Sequence, residues 1–201
     1  MNLDFLEIGT SNFRTLLETA TDSTIGISVE PLSHYLNQLP NKKNVIKENI
    51  AIAFNNLEKQ IEIYYVPENI IKEKNLPAWL KGCNSLSTYH PKHIELDIVN
   101  LVKIEHVLQI PISNLLEKYK VESLNFLKID TEGGDCDILL HLQKYLDMKG
   151  SKSLFPKKIQ FESNSLTEKT KIQKVLHTYE KFGYRISKKK KTDIVLVLDT
   201  E

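Results

Sequence analysis

Four acids, Asp130, Glu132, Asp135 and Asp137, fall within eight residues directly after the apolar run Leu124-Asn125-Phe126-Leu127-Lys128-Ile129. Carboxylates held this close raise one another's pKa, which suits a general base working near neutrality and also suits a divalent cation. Asp135 is placed to cap the helix that follows and Asp137 to face water, which leaves Asp130 and Glu132 aimed at whatever the end of the run faces. Glu162 and Asn164, at the end of the next apolar run, would complete a metal-binding set. Clustered acids are a loose criterion for a metal, so the cation is the reading not favoured.

A second candidate is the turn Glu7-Ile8-Gly9-Thr10-Ser11-Asn12-Phe13, which ends one apolar run and opens a helical pattern. Backbone N–H groups and a positive dipole end gather at such a turn and attract a carboxylate or a phosphate. A dinucleotide pyrophosphate asks for three glycines there, and only Gly9 is present. The smaller demand of an amino-acid carboxylate fits better. Glu30 stands 21 residues after Gly9 at the end of the next apolar run, where an acid accepts both hydroxyls of a ribose. A plain strand-to-helix turn at Gly9 and a solvated helix start at Glu30 are the bland alternatives.

The elements that must hold these residues alternate. Leu3–Ile8 reads as a buried strand, then Ser11 or Asn12 caps a helix carrying Phe13, Leu16, Leu17 and Ala20. Thr24–Glu30 is a second strand, Leu32–Leu39 a second helix, Val45–Phe54 a third strand and Ile61–Val66 a fourth. After a short helix at Ser113–Tyr119 come the central strand Leu124–Ile129, a helix with Ile138, Leu139, Leu142 and Tyr145 inward, and a strand at Lys158–Phe161. Ser165-Leu166-Thr167-Glu168 has the form of a capping box before another helix, and a hairpin turning on Lys188–Lys191 closes the chain. This alternation predicts an α/β fold: a doubly wound, mostly parallel seven-stranded sheet with a C-terminal antiparallel hairpin. Residues 1–201 read as a single domain with an irregular insert at about 67–111 over one sheet edge.

Composition excludes several classes. Lys and Arg number 27 against 26 for Asp and Glu, so no global field attracts nucleic acid or anionic lipid. The N-terminus lacks a basic region followed by an apolar run, and no stretch reaches membrane-spanning length, so the expected location is the cytoplasm. Cys83 and Cys136 are too few and too far apart for a disulfide framework or zinc site. No heptad points to an oligomeric state.

Six motifs in order carry a family resemblance: Glu7-Ile8-Gly9, Val29-Glu30-Pro31, Asn49-Ile50-Ala51-Ile52, Cys83-Asn84-Ser85-Leu86, Lys128-Ile129-Asp130-Thr131-Glu132-Gly133 and Phe161-Glu162. In them the chain resembles the FkbM-like class I methyltransferases, from residue 1 to about residue 164. The resemblance implies that S-adenosylmethionine rests on Glu7, Gly9 and Ser11, with Glu30 on the ribose and Ile50 and Ala51 near the adenine. It also implies methyl transfer to a hydroxyl of a small molecule or glycan; an alcohol must lose its proton in such a transfer, and the strand-end position of Asp130 and Glu132 makes them the candidate catalytic acids. Ser11 stands where that family commonly has Asn and Phe13 where it has Gly. A Phe13 that crowded the cofactor would make the chain a catalytically silent binding or scaffold module, which is the alternative reading. His90, His93 and His106 could act as a base or touch substrate but read first as incidental surface histidines, and Trp79 and Tyr89 could line a substrate pocket but read first as anchors of the insert.

Overall fold

A computed structural model of the chain describes residues 1–12, 15–53, 55 and 57–199. The first part runs β1 (Asn2–Ile8), α1 (Leu16–Thr19), β2 (Gly26–Val29), α2 (Ser33–Gln38) and β3 (Val45–Glu48). A middle part follows with β4 (Ala51–Ala53), β5 (Lys59–Tyr65), α3 (Glu68–Glu73), β6 (Ser85–Leu86), α4 (Pro91–Glu95) and β7 (Lys103–Pro111). The last part holds α5 (Ile112–Lys118), β8 (Ser123–Ile129), α6 (Asp135–Lys149), β9 (Lys158–Glu162), α7 (Lys169–Glu180), β10 (Tyr184–Lys189) and β11 (Asp193–Leu198).

Seven strands form the main sheet in the order β10-β11-β9-β8-β1-β2-β3. The pairs among β3, β2, β1, β8 and β9 are parallel, while β11 is antiparallel to both β9 and β10, so the sheet is mixed. The chain starts at β1, moves outward to β3, and later returns to β8 on the other side of β1. Strand order thus reverses at β1, and a crevice opens outside the carboxyl ends of β1, β2 and β8, where α/β sheets bind ligands.

Alternation along β1 sends its side chains to two cores. Phe5 packs with Leu17, Ala20, Leu36 and Leu39 from the α1 and α2 segments. Leu6 and Ile8 pack with Leu115, Leu139, Leu142 and Tyr179 from α5, α6 and α7. Each large side chain buried this way contributes roughly 1.5–3 kcal/mol. Helices therefore cover both faces, and the strand ends cannot shift without opening a core.

Two expectations about the middle of the chain are corrected. The single strand read over Val45–Phe54 is two strands in two sheets, because Asn49 Nδ2 donates to the Glu30 and Pro31 carbonyls at 2.9 and 2.8 Å and pins a bend between β3 and β4. Phe54 lies outside the described residues. The segment read as an irregular insert contributes two strands to a second sheet of order β4-β7-β5-β6. Its longest member, β7, spans nine residues and runs antiparallel to β5 from Gln109↔Lys59 to Lys103↔Tyr65. Leu32 and Tyr35 pack against Ala51, Ile63, Tyr65 and Val107, joining this sheet to the α2 side of the main one.

Two helix starts also differ. Ser11 is left-handed (φ 43°), so no helix begins there. Thr15 caps α1 instead, in a capping box with Glu18. At the other end, α7 begins after Glu168 with no side-chain cap, so the sequence from Ser165 to Glu168 does not form its box. Among the described residues no helix is long and apolar enough to cross a membrane.

Candidate active site

The carboxyl ends of β1, β2, β8 and β9 surround a cavity of about 320 Å³ that is also lined by Ile50, Ala51 and Ile52 and by Trp79. Gly9 makes the convergence close. Its φ is +78°, and a Cβ there would lie 1.8 Å from the Asp130 carbonyl oxygen, so the β1 turn passes directly over the end of β8. Only glycine allows both the backbone angle and the approach.

Ser11 and Glu30 meet across this turn. The Ser11 N–H donates to Glu30 Oε2 at 2.6 Å, and the Leu32 N–H to Oε1 at 3.0 Å. Burial pushes the Glu30 carboxyl up to about 7, against the lowering pull of those amides. The Ser11 hydroxyl is buried in the cavity wall with no hydrogen-bond partner among the described residues. Gly9, Ser11, Glu30, Ile50 and Ala51, five of the residues expected to hold the cofactor, all line the cavity. Glu7 does not line it. It is fully buried behind the turn, taking Lys128 Nζ at 2.7 Å and the Leu16 N–H at 2.8 Å, and so ties β8 and the start of α1 to β1. Phe13 lies outside the described residues.

Asp130 and Glu132 stand on the opposite wall with Glu162. One carboxylate oxygen from each lies within 4.8 Å of the others, a spacing at which the three could hold a divalent cation. Asp130, which is exposed at the cavity, is pushed up to about 7 by the desolvating cavity wall and by the Asp135 and Glu132 charges. Glu162 is pushed up to about 9 by desolvation and by Glu132, Asp130 and Asp135, and its Oε2 is buried without a partner among the described residues. Glu132 is left-handed (φ 53°), which costs a side-chain-bearing residue about 1–2 kcal/mol and must be held by its surroundings.

Asp135 holds this wall together from behind. Rather than capping α6, whose cap is Gly134 without a side-chain bond, its fully buried carboxylate accepts from the Thr131 N–H, the Thr131 hydroxyl and the Glu162 N–H at 2.9, 2.6 and 2.7 Å. Asp137 pairs with Lys171 at 2.7 Å and does not simply face water.

The histidines and aromatics of the middle segment also differ from the sequence reading. His90 and His93 are 3% and 0% exposed, and His90 Nε2 lies 3.3 Å from Glu132 Oε2; only His106 is a surface residue. Trp79 is 48% exposed on the cavity rim and so is not an anchor. A histidine before Pro91 was the available signal for the first of these, since proline often takes the first position of a helix and the preceding side chain then caps it.

The model for the methyltransferase FkbM domain matches residues 8–186. The chain belongs to the FkbM methyltransferase family. No match was found among curated proteins or among solved structures. The FkbM domain takes in the last residue of β1, both walls of the cavity and the whole second sheet. Glu30 and the Ser11 turn thus belong to it together with the three acids opposite.

Proposed function

We propose that the chain is an S-adenosylmethionine-dependent methyltransferase with a Rossmann-like, doubly wound core, and that it methylates a hydroxyl of a small molecule or glycan. One observation carries this reading. A single cavity is lined both by Glu30, the Ser11 turn and the apolar Ile50–Ile52 segment, a set suited to a nucleoside, and by the acids Asp130, Glu132 and Glu162, suited to take a proton. Its volume of about 320 Å³ lies at the small end of ligand pockets, and its wall mixes apolar side chains with a few polar groups, as such pockets do.

The residues fit the cofactor. The unpartnered Ser11 hydroxyl and the turn around Gly9 suit its amino-acid carboxylate, Glu30 its ribose hydroxyls, and Ile50 and Ala51 its adenine. S-adenosylmethionine supplies an electrophilic methyl group carried on a sulfonium. Asp130 then takes the proton of the acceptor hydroxyl, since its pKa near 7 matches the working pH of a general base. Glu132 orients the hydroxyl beside it. Trp79 offers the acceptor an apolar face at the mouth of the cavity.

A second reading rests on the 4.8 Å spacing of Asp130, Glu132 and Glu162 and on the unpartnered Glu162 oxygen. There the three acids hold a divalent cation that ionises the acceptor. Transfer that survives EDTA supports the proton-taking acid, and transfer that EDTA abolishes and Mg²⁺ restores supports the cation.

A thermal shift tests the cofactor. S-adenosylhomocysteine at 100 times its dissociation constant adds about 2.7 kcal/mol of stability, whereas NAD leaves the melting temperature unmoved. A shift with NAD and none with S-adenosylhomocysteine overturns the proposal.

A further inference from the structure

His90 is committed at both ring nitrogens, and the two commitments point in different directions. It is the N-cap of α4, with extended backbone (φ −64°, ψ 141°) and Pro91 in the first turn. Proline has no N–H, so the first donor the helix start must satisfy is that of Lys92, and this N–H reaches His90 Nδ1 at 3.1 Å. A ring nitrogen that accepts a hydrogen bond carries no proton, so the neutral ring bears its proton on Nε2. Nε2 is the atom that lies 3.3 Å from Glu132 Oε2, and its N–H donates there.

The residue type fits both tasks and the usual capping residues do not. Ser, Thr, Asp and Asn are the common N-caps. Ser, Thr and Asn are too short to cap the helix and also reach Glu132, and Asp would set a further carboxylate against it. The ring is 3% exposed and backed by the fully buried ring of His93, with centroids 5.7 Å apart, so it is held in place. Glu132 needs such a partner, because its backbone is left-handed and its neighbours Asp130 and Glu162 repel it. The bond joins residues 42 apart in sequence and links the middle segment to the end of β8.

We propose that His90 is a positioning residue: its Nε2–H clamps the Glu132 carboxylate in the cavity, while its Nδ1 is locked by the start of α4. With neither nitrogen free, His90 does not take the acceptor's proton. The proposal rests on the methyltransferase reading only for what Glu132 does once it is held.

Long-range ¹H–¹⁵N spectra of the full-length ¹⁵N-labelled chain at neutral pH read the tautomer directly. A proton on Nε2 alone is expected, and a proton on Nδ1 overturns the proposal. Two variants then separate clamp from cap. Gln places an N–H donor where Nε2 stood and is a poor cap; Asn caps well and cannot reach Glu132. With ¹³C-labelled chain, His90→Gln should leave the Glu132 carboxyl signal near its parent position, and His90→Asn should shift it. Methyl transfer should fall at least tenfold in His90→Asn and be largely rescued in His90→Gln. If Asn leaves the Glu132 signal and turnover unchanged and Gln alone is impaired, His90 is only a cap. Calorimetry with S-adenosylhomocysteine on the same samples keeps the two proposals apart: absence of binding removes the cofactor reading, while the Glu132 signal still decides the role of His90.

Discussion

Glu30 after β2 and the trio of Asp130, Glu132 and Glu162 after β8 and β9 line one cavity; burial raises the pKa of Glu30 and Glu162, while Asp130 is exposed at the cavity and is also raised by the charges of Asp135 and Glu132. Their surroundings otherwise differ. Each oxygen of Glu30 receives a backbone N–H, from Ser11 and from Leu32, so the carboxyl is held in one orientation and partnered where it stands. In the trio the acids face one another and repulsion adds to desolvation; Glu132 is met by His90, and Glu162 Oε2 finds no donor among the described residues. In the function proposed above, the acid on which amides converge is the holder and Asp130, which they do not reach, is the proton carrier. That division of labour is what substitutions can break.

The largest effect is expected at Asp130. Asp130→Asn should cut methyl transfer by about 10²- to 10⁴-fold, the usual worth of a general base, while changing S-adenosylhomocysteine affinity only a few-fold. Kinetics of S-adenosylhomocysteine release read the first quantity. A loss of affinity in place of turnover would move Asp130 to the holding side.

Next comes Gly9→Ala, which attacks the geometry that brings the two sides together. A methyl group at φ +78° and 1.8 Å from the Asp130 carbonyl forces the β1 turn off β8. The backbone term alone costs about 1–2 kcal/mol, and displacing main chain adds to it, so urea unfolding should register a loss of roughly 2 kcal/mol or more. An unchanged midpoint would mean that the turn is not in contact with β8.

A smaller effect belongs to Glu162. Its carboxyl titrates near 9 in the folded chain and in the usual acid range when unfolded, so between those values the folded state binds more protons. The stability it contributes is complete below about pH 4.5 and is lost as pH rises through about 9. Glu162→Gln should flatten that decline and stabilise the chain at pH 8 by on the order of 1 kcal/mol, since the cleft is open to solvent screening. Denaturant melts at pH 5 and pH 8 measure it. A variant that is destabilised at pH 8 would show that Glu162 is a satisfied carboxylate like Glu30.

What the sequence revealed of this arrangement was whatever short-range punctuation carries. Gly9, Glu30, Asp130 and Glu132 each sit where an apolar run stops, and alternating runs were enough for the α/β class and the closing hairpin. Long-range pairings were silent. Glu7 looked like part of the ligand turn because its partner, Lys128, lies directly opposite it in the β1–β8 register but 121 residues away in sequence. The second sheet was hidden for the same reason, and also because β7 mixes polar and apolar residues on both faces, leaving no alternation to read. His90 looked like a loop residue until the fold buried it against Glu132.

The most direct test of the division of labour is calorimetry of S-adenosylhomocysteine with the parent chain, Glu30→Ala and Asp130→Asn side by side. A carboxylate accepting two ribose hydroxyls makes charge-assisted bonds worth roughly 1.5–3 kcal/mol, so Glu30→Ala should weaken binding by about tenfold to a hundredfold or more. Asp130→Asn should bind within a few-fold of the parent. Equal losses in both variants, or no loss in Glu30→Ala with the fold intact, would contradict the account.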